Sequence, residues 1–308
     1  MKHEIRYGKA DVKVYRTPGT PLRGVTAIPE SPFRGRENIL MAAELEVAVH
    51  GTAFLDAYTQ GDNRLVVATD TMKNFMHSST LASRAATLEG WLFDVGRDFL
   101  AAYPHMERLT MLGRELPFPA ALVPADEGDG FTTSDVLFAR DRNDRSTASL
   151  DLERDGEGAR ITGHACGRTD LQLIKITGSA FADFARDGHT TLPERRDRPL
   201  YIWCDIGWQY ADPADALGSD PARYIAGEQV ADLAASVFHQ FVSLSIQHLV
   251  NEIGTRMLER WPQLAEVSFE ATNRLWDLVE ESASDPGVRT YADPRPPFGR
   301  IGLVLRRD

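Results

Sequence analysis

Apolar residues along this chain repeat with two periods, and these periods predict the order of strands and helices. Alternation of apolar and polar residues, typical of strands with one buried face, covers residues 11–16, 39–49, 65–68, 108–116, 134–140, 147–153, 159–176, 200–209, 267–272 and 301–305. Apolar spacings of three and four, typical of amphipathic helices, cover residues 71–78, 87–103, 222–241 and 245–261. A serine at 243 or 245 is a suitable N-cap for the last helix.

The two halves of the chain repeat one order of elements: strand, strand, helix, helix, strand, strand. Between them lies Asp-Gly-Glu-Gly at residues 155–158, which has the turn residues of a hairpin. We therefore predict an α+β protein with two domains, residues 1–156 and 157–308, each an antiparallel sheet with helices on one face. Long strands at an open sheet edge favour pairing with another chain, so we expect an oligomer.

Composition and charge exclude several classes of function. Of the 308 residues, 43% are hydrophobic and 26% charged, which is ordinary for a globular protein, and the net charge of −11 argues against a general nucleic-acid binder. The two cysteines, Cys166 and Cys204, are too few for a disulfide framework and are predicted to be reduced. Because neither a secretory signal nor an apolar stretch of membrane-spanning length is visible, we expect a cytoplasmic protein.

The motifs of the common cofactors are absent from the sequence. There is no phosphate-binding glycine loop, dinucleotide fingerprint, His-Glu-x-x-His helix or nucleophile-elbow serine. His164 and Cys166 lie two residues apart on a predicted strand and face the same side, but the sequence suggests no third metal ligand. We interpret them as ordinary strand residues and expect neither a metal ion nor a cofactor.

Two segments in the first half of the chain stand out. One is Arg-Tyr-Gly-Lys at residues 6–9, and the other is Gly-Asp-Asn at 61–63 followed by Leu-Val-Val-Ala-Thr-Asp-Thr-Met-Lys-Asn at 65–74. Both resemble signatures of the uricase family, the factor-independent urate oxidases. In that family the first segment provides a catalytic lysine, and the second provides a threonine and an aspartate at a strand-to-helix junction. The resemblance thus implies catalytic roles for Lys9 and Thr69 and substrate binding by Thr69 and Asp70.

The similarity continues through the second half of the chain. Phe181 matches the residue that stacks on the purine, Arg198 the substrate-clamping arginine, and Asn273 an asparagine near the dioxygen site. The Ser-Ile-Gln at 245–247 is similar to the Ser-Val-Gln of the family, and residues 293–299 resemble its closing Arg-Pro-Pro-Tyr-Gly. The resemblance implies the following further substrate-binding residues: Phe181, Leu192, Arg198, Ile246, Gln247 and Asn273.

Each implied side chain suits the chemistry of an oxopurine anion. Arg198 offers a planar fork of donors, Gln247 both a donor and an acceptor, and Phe181 a ring face for stacking. Lys9, if it is hydrogen-bonded to Thr69, can pass a proton. Asp70 is expected either to bind substrate or to act as the N-cap of the helix that follows.

By resemblance, the fold is two tandem tunnelling-fold domains that assemble into a barrel-forming homotetramer with sites between subunits. The implied reaction is the cofactor-independent oxidation of urate by dioxygen, through a hydroperoxide at C5, to 5-hydroxyisourate and hydrogen peroxide. One position departs from the family: where it has Asn-x-His, with histidine in the proton relay, this chain has Asn273 and Leu275. Two alternatives therefore stay open, an oxygenase of a related oxopurine or N-heterocycle, and a purine-binding pseudoenzyme.

Overall fold

The fold is built on one antiparallel sheet of eight strands, seen in a computed structural model that describes residues 2–126 and 128–307. In spatial order its strands are β1 (Arg6–Arg16), β4 (Met41–His50), β5 (Arg108–Glu115), β8 (Arg145–Asp155), β9 (Gly158–Lys175), β10 (Leu200–Tyr210), β11 (Leu264–Asn273) and β14 (Arg300–Arg306). Three small two-stranded sheets complete the strands: β2 (Leu22–Arg23) with β3 (Gly35–Arg36), β6 (Ala120–Pro124) with β7 (Phe131–Phe138), and β12 (Asp277–Glu281) with β13 (Arg289–Ala292).

Among the described residues, five α-helices accompany the strands, and two of them begin at a side-chain cap. They are α1 (Leu55–Thr59), α2 (Thr69–Ala82), α3 (Leu88–Ala102), α4 (Gly227–Gln240) and α5 (Ile246–Arg260). The Thr87 hydroxyl accepts a hydrogen bond from the Gly90 N–H at 3.1 Å at the start of α3. Ser245 does the same for the His248 N–H at 3.0 Å at the start of α5, which confirms the predicted cap.

The four long helices cover one face of the sheet. Opposite residues on successive strands, Gly113, Ala148, Cys166, Trp208 and Val267, form one row that runs from β5 to β11 on the same face. Helices α2 and α3 enclose the first hydrophobic core over β1, β4, β5 and β8, and α4 and α5 enclose the second over β9, β10, β11 and β14. The predicted α+β class and the repeated order of elements are therefore confirmed.

The turn between the two halves lies at the predicted position. Asp155 and Gly158 form the last pair of the β8–β9 hairpin, and this hairpin joins the halves into one continuous sheet. Each half contributes four of the eight strands and one helix pair. The division into domains 1–156 and 157–308 at this turn stays a prediction.

One predicted element is wrong and two lie at shifted positions, because tertiary contacts outweigh local pattern. Residues 65–68 are not a strand; the Val67 N–H donates to the Tyr7 hydroxyl at 3.0 Å instead of to a neighbouring strand. The strand predicted at 134–140 is observed as β7, which ends at Phe138 and pairs with β6 outside the main sheet. Helix α4 begins at Gly227 and not at residue 222, since Ala226 is extended and the Ile225 N–H donates to the Tyr210 hydroxyl at 2.9 Å.

The state of the cysteines and the character of the helices can be compared with the predictions from composition. Cys166 and Cys204 are both free and buried, and burial raises the pKa of the Cys204 thiol to about 12. Among residues 2–126 and 128–307, no helix has the length and apolar content needed to cross a bilayer.

A buried carboxyl group lies where the first helix pair meets the second half of the chain. Glu89, in the first turn of α3, is 2% exposed, and the Tyr224 hydroxyl donates to its Oε2 at 3.2 Å. Burial raises the pKa of Glu89 to about 7, although the helix N-terminus, Tyr224 and Arg36 favour the charged form. The folded state therefore holds this proton more tightly than the unfolded chain does.

This carboxyl should make stability depend on pH. The contribution of the Glu89 proton is fully present below the unfolded pKa of about 4.5 and is lost as the pH rises through about 7. As the pH rises from about 4.5 to about 7, the parent chain loses this contribution and Glu89→Gln does not. We therefore expect the unfolding free energy of Glu89→Gln to rise by about 3 kcal/mol relative to that of the parent chain across this range. Denaturant titrations across this pH range measure it, with Glu107→Gln at an exposed position as control; a pH-independent difference would contradict the assignment.

Candidate active site

The glycine of the Arg-Tyr-Gly-Lys segment allows the first two strands to approach closely. A Cβ on Gly8 would lie 1.8 Å from the carbonyl oxygen of Val47 on β4, so a larger residue would separate these strands. Lys9 follows it and pairs with Val47, directly before a register shift of β1. The shift and the positive φ of Asp11 end the regular ladder beside Lys9.

Thr69 and Asp70 form the exposed first turn of α2, which packs against β1. Asp70 is not the N-cap: the helix begins two residues earlier than an aspartate cap requires, and Ala68 occupies the cap position. Instead, the Lys73 ammonium donates to Asp70 Oδ1 at 2.5 Å and lowers the pKa of this carboxyl, and the charge of Lys9 adds to the effect. Lys9 and Asp70 are therefore neighbours, while no hydrogen bond joins Lys9 to Thr69 among the described residues.

Tyr7 holds this arrangement together, a role that the sequence pattern did not reveal. Its hydroxyl accepts the Val67 N–H, and its ring packs edge-on against Phe54 with centroids 4.8 Å apart. Burial raises the pKa of Tyr7 and keeps its hydroxyl neutral. The tyrosine thereby fixes the chain that leads into Thr69 against the strand that carries Lys9.

A second group of implied residues lies on the segment between β9 and β10. Phe181 and Arg195 exchange two backbone hydrogen bonds of 2.7 and 2.9 Å, which fold the segment back on itself. This brings the guanidinium carbon of Arg198 to 5.6 Å from the centre of the Phe181 ring. Burial, and to a smaller extent the charge of Arg195, lowers the pKa of Arg198, and its buried Nε has no hydrogen-bond partner among the described residues.

Two buried serines connect this segment to the start of α5. Ser243 donates through its hydroxyl to the Ser179 hydroxyl at 3.0 Å, and the Arg198 N–H donates to the Ser179 carbonyl oxygen at 2.9 Å. Gln247 is exposed in the first turn of α5, whereas the Ile246 side chain is buried in the second core. The serine pair thus joins the two arms of the implied clamp, Arg198 and Gln247, and sequence reasoning missed it.

The remaining implied residues differ in how firmly they are held. Asn273 ends β11 half-buried, and its Oδ1 accepts the Gly299 N–H at 3.2 Å, so the segment 293–299 closes onto it. Leu192 is 42% exposed. Leu275 packs against the second core. A histidine relay is therefore replaced at this position by an apolar core contact.

The two groups of residues remain separate within one chain. In the part of the chain that the structure describes, no hydrogen bond, ion pair or ring contact joins Lys9, Thr69 or Asp70 to the second group. His164, which with Cys166 is the candidate for part of a metal site, is instead engaged by the backbone: its Nε2 accepts the Tyr210 N–H at 2.9 Å. Residues 2–126 and 128–307 contain no group of three His, Cys, Asp or Glu side chains placed to hold a metal ion.

Comparisons with known proteins assign the class. The Uricase family model matches residues 164–302. The chain is 46% identical to the uricase of Haloferax volcanii, over 96% of both chains. The solved urate oxidase of Bacillus sp. TB-90 superposes with a TM-score of 0.93 at 42% identity, over 99% of this chain and 100% of that one.

A bifunctional uric acid degradation protein of Bacillus subtilis is 46% identical over all of this chain, which spans 62% of the length of that relative. Together these similarities extend well beyond the motifs that carried the resemblance. The chain belongs to the uricase family.

Proposed function

We propose that this chain oxidises urate with dioxygen to 5-hydroxyisourate and hydrogen peroxide, without a cofactor. The observation that carries the proposal is the stack of Arg198 on Phe181. The paired serines Ser179 and Ser243 connect this stack to the helix turn that presents Gln247. A planar anion that enters between these groups finds a ring face, a cation and an amide edge.

The charge balance of Arg198 supports an anionic substrate. Its guanidinium has no acidic partner among the described residues, and its partly buried position disfavours an uncompensated charge. The urate anion supplies the missing negative charge and accepts hydrogen bonds from the planar fork. Binding therefore relieves an electrostatic penalty that the free protein carries.

Lys9 and Thr69 are assigned to proton removal. Dioxygen accepts two electrons from the urate anion, forms a hydroperoxide at C5 and leaves as hydrogen peroxide when water replaces it. Lys9 removes and returns the protons of this exchange through Thr69 and water. Leu275 takes no part, because it packs against the second core.

The two separate groups of residues support a site that is completed by a neighbouring chain. We assign Lys9, Thr69 and Asp70 from one subunit and the clamp and Asn273 from another to each site of a homotetramer. The first group lies beside β1, which is an edge strand of the eight-stranded sheet. An edge strand presents unpaired backbone groups that another sheet can cover. The cytoplasmic location stays a prediction from composition.

Incubation with urate in air tests the function directly. We expect the purine absorbance to fall while hydrogen peroxide appears in equal amount, and activity to disappear on dilution that dissociates the oligomer. Tight urate binding without turnover would favour the pseudoenzyme. If the protein neither binds nor oxidises urate, another N-heterocycle is favoured as the substrate. Chelator treatment serves as the control for adventitious metal, and activity that depends on a metal would contradict the cofactor-free proposal.

A further inference from the structure

One arginine holds the segment that leads into the last strand. The guanidinium carbon of Arg274 lies 3.7 Å from the ring centre of Phe298 and 4.3 Å from that of Trp203. The backbone N–H of Arg274 donates to the Tyr201 carbonyl oxygen at 2.7 Å, which anchors it to β10. Its Nε is buried and has no hydrogen-bond partner in the described part of the chain. The two aromatic rings are therefore its principal contacts.

This stack determines the position of the residue after Phe298. The Gly299 N–H reaches Asn273 Oδ1 at 3.2 Å, and a Cβ on Gly299 would lie 3.0 Å from the same oxygen. The close approach favours glycine here. Because Oδ1 accepts this hydrogen bond, the two donors on Nδ2 of Asn273 are turned away from the 299 backbone.

We propose that Arg274 and Phe298 are positioning residues that orient the Asn273 amide so that its donor end faces dioxygen. The inference rests on the proposed function. Dioxygen that has taken up electrons is an anion that only accepts hydrogen bonds, and a donor stabilises it. If the amide turned over, its carbonyl oxygen would repel the same anion.

The two residues that follow Asn273 both pack against other parts of the second half of the chain. Leu275 packs against the second core, and the Arg274 guanidinium lies against the rings of Phe298 and Trp203. Neither side chain transfers a proton. Both fix the backbone beside the asparagine, so this departure from the family motif serves orientation.

The experiment separates the use of dioxygen from the binding of urate. In Arg274→Met and Phe298→Leu, we expect kcat/KM for dioxygen to fall about tenfold while KM for urate stays within about twofold. Phe298→Tyr retains the ring and should behave as the parent chain. The matched control is Arg97→Met, because Arg97 lies over the Phe93 ring at 5.9 Å on α3, outside the site.

Hydrogen exchange tests the orientation without turnover. We expect the Gly299 amide to exchange faster in Arg274→Met than in the parent chain at equal folded fraction, and unchanged exchange would overturn the inference. A rise in KM for urate alone, or a lower melting temperature with unchanged kinetics, would also overturn it. If the parent chain itself fails to oxidise urate, the proposed function fails, and the exchange measurement still decides whether the stack holds Gly299.

Discussion

Lys9→Met should lower kcat for urate by about 10²–10⁴-fold, because the variant removes the group assigned to proton transfer and leaves the strand intact. Lys9 lies beside the exposed first turn of α2, and its neighbour Asp70 already has Lys73 as a partner. The loss of one ammonium therefore leaves no unpaired buried charge. KM for urate should change less than kcat, since the clamp belongs to the other group of residues.

Lys13→Met is the matched control for this variant. Lys13 is exposed on the same strand, four residues further along, and outside the first turn of α2. Steady-state kinetics with urate, combined with a thermal melt, distinguishes catalysis from folding. Equal loss in both variants, or a fully active Lys9→Met, would remove Lys9 from the mechanism. Because Thr69 is assigned to pass the proton, Thr69→Val should lower kcat by a factor in the same range as Lys9→Met.

The sheet was predictable from the sequence because each strand buries one face. Alternation marked β4, β9 and β10 within a few residues, and the spacing in α3 and α5 marked one apolar stripe on each helix. The same reasoning failed at residues 65–68, where Val67 is buried on an irregular path that Tyr7 stabilises. A periodic pattern records burial but not the hydrogen-bond partner.

The candidate site was likewise only partly predictable from the sequence. The resemblance supplied Lys9, Arg198 and Asn273 from short motifs. The contacts that orient them, such as the pair Ser179 and Ser243, join residues 64 positions apart and leave no local signal. Long-range polar contacts of this kind depend on the folded backbone, so only the structure identifies them.

Arg198→Met should reduce kcat/KM for urate by about 10³-fold, because truncating one partner of a desolvated charge pair removes several kcal/mol of binding. The free protein should lose little stability. The guanidinium is partly buried without an acidic partner among the described residues, so its removal relieves a desolvation penalty. Arg196→Met, at an exposed position two residues away, is the control and should keep full activity.

Joint assembly of Lys9→Met and Arg198→Met chains distinguishes a shared site from one within a single chain. If each site takes Lys9 from one subunit and Arg198 from its neighbour, a mixed pair contains one site with both native groups. Random assembly of equal amounts should then recover about a quarter of the parent activity, although each variant alone is nearly inactive. No recovery in a mixture whose mixed oligomers are shown by mass would contradict sharing, because both lesions would then affect sites that each chain completes alone.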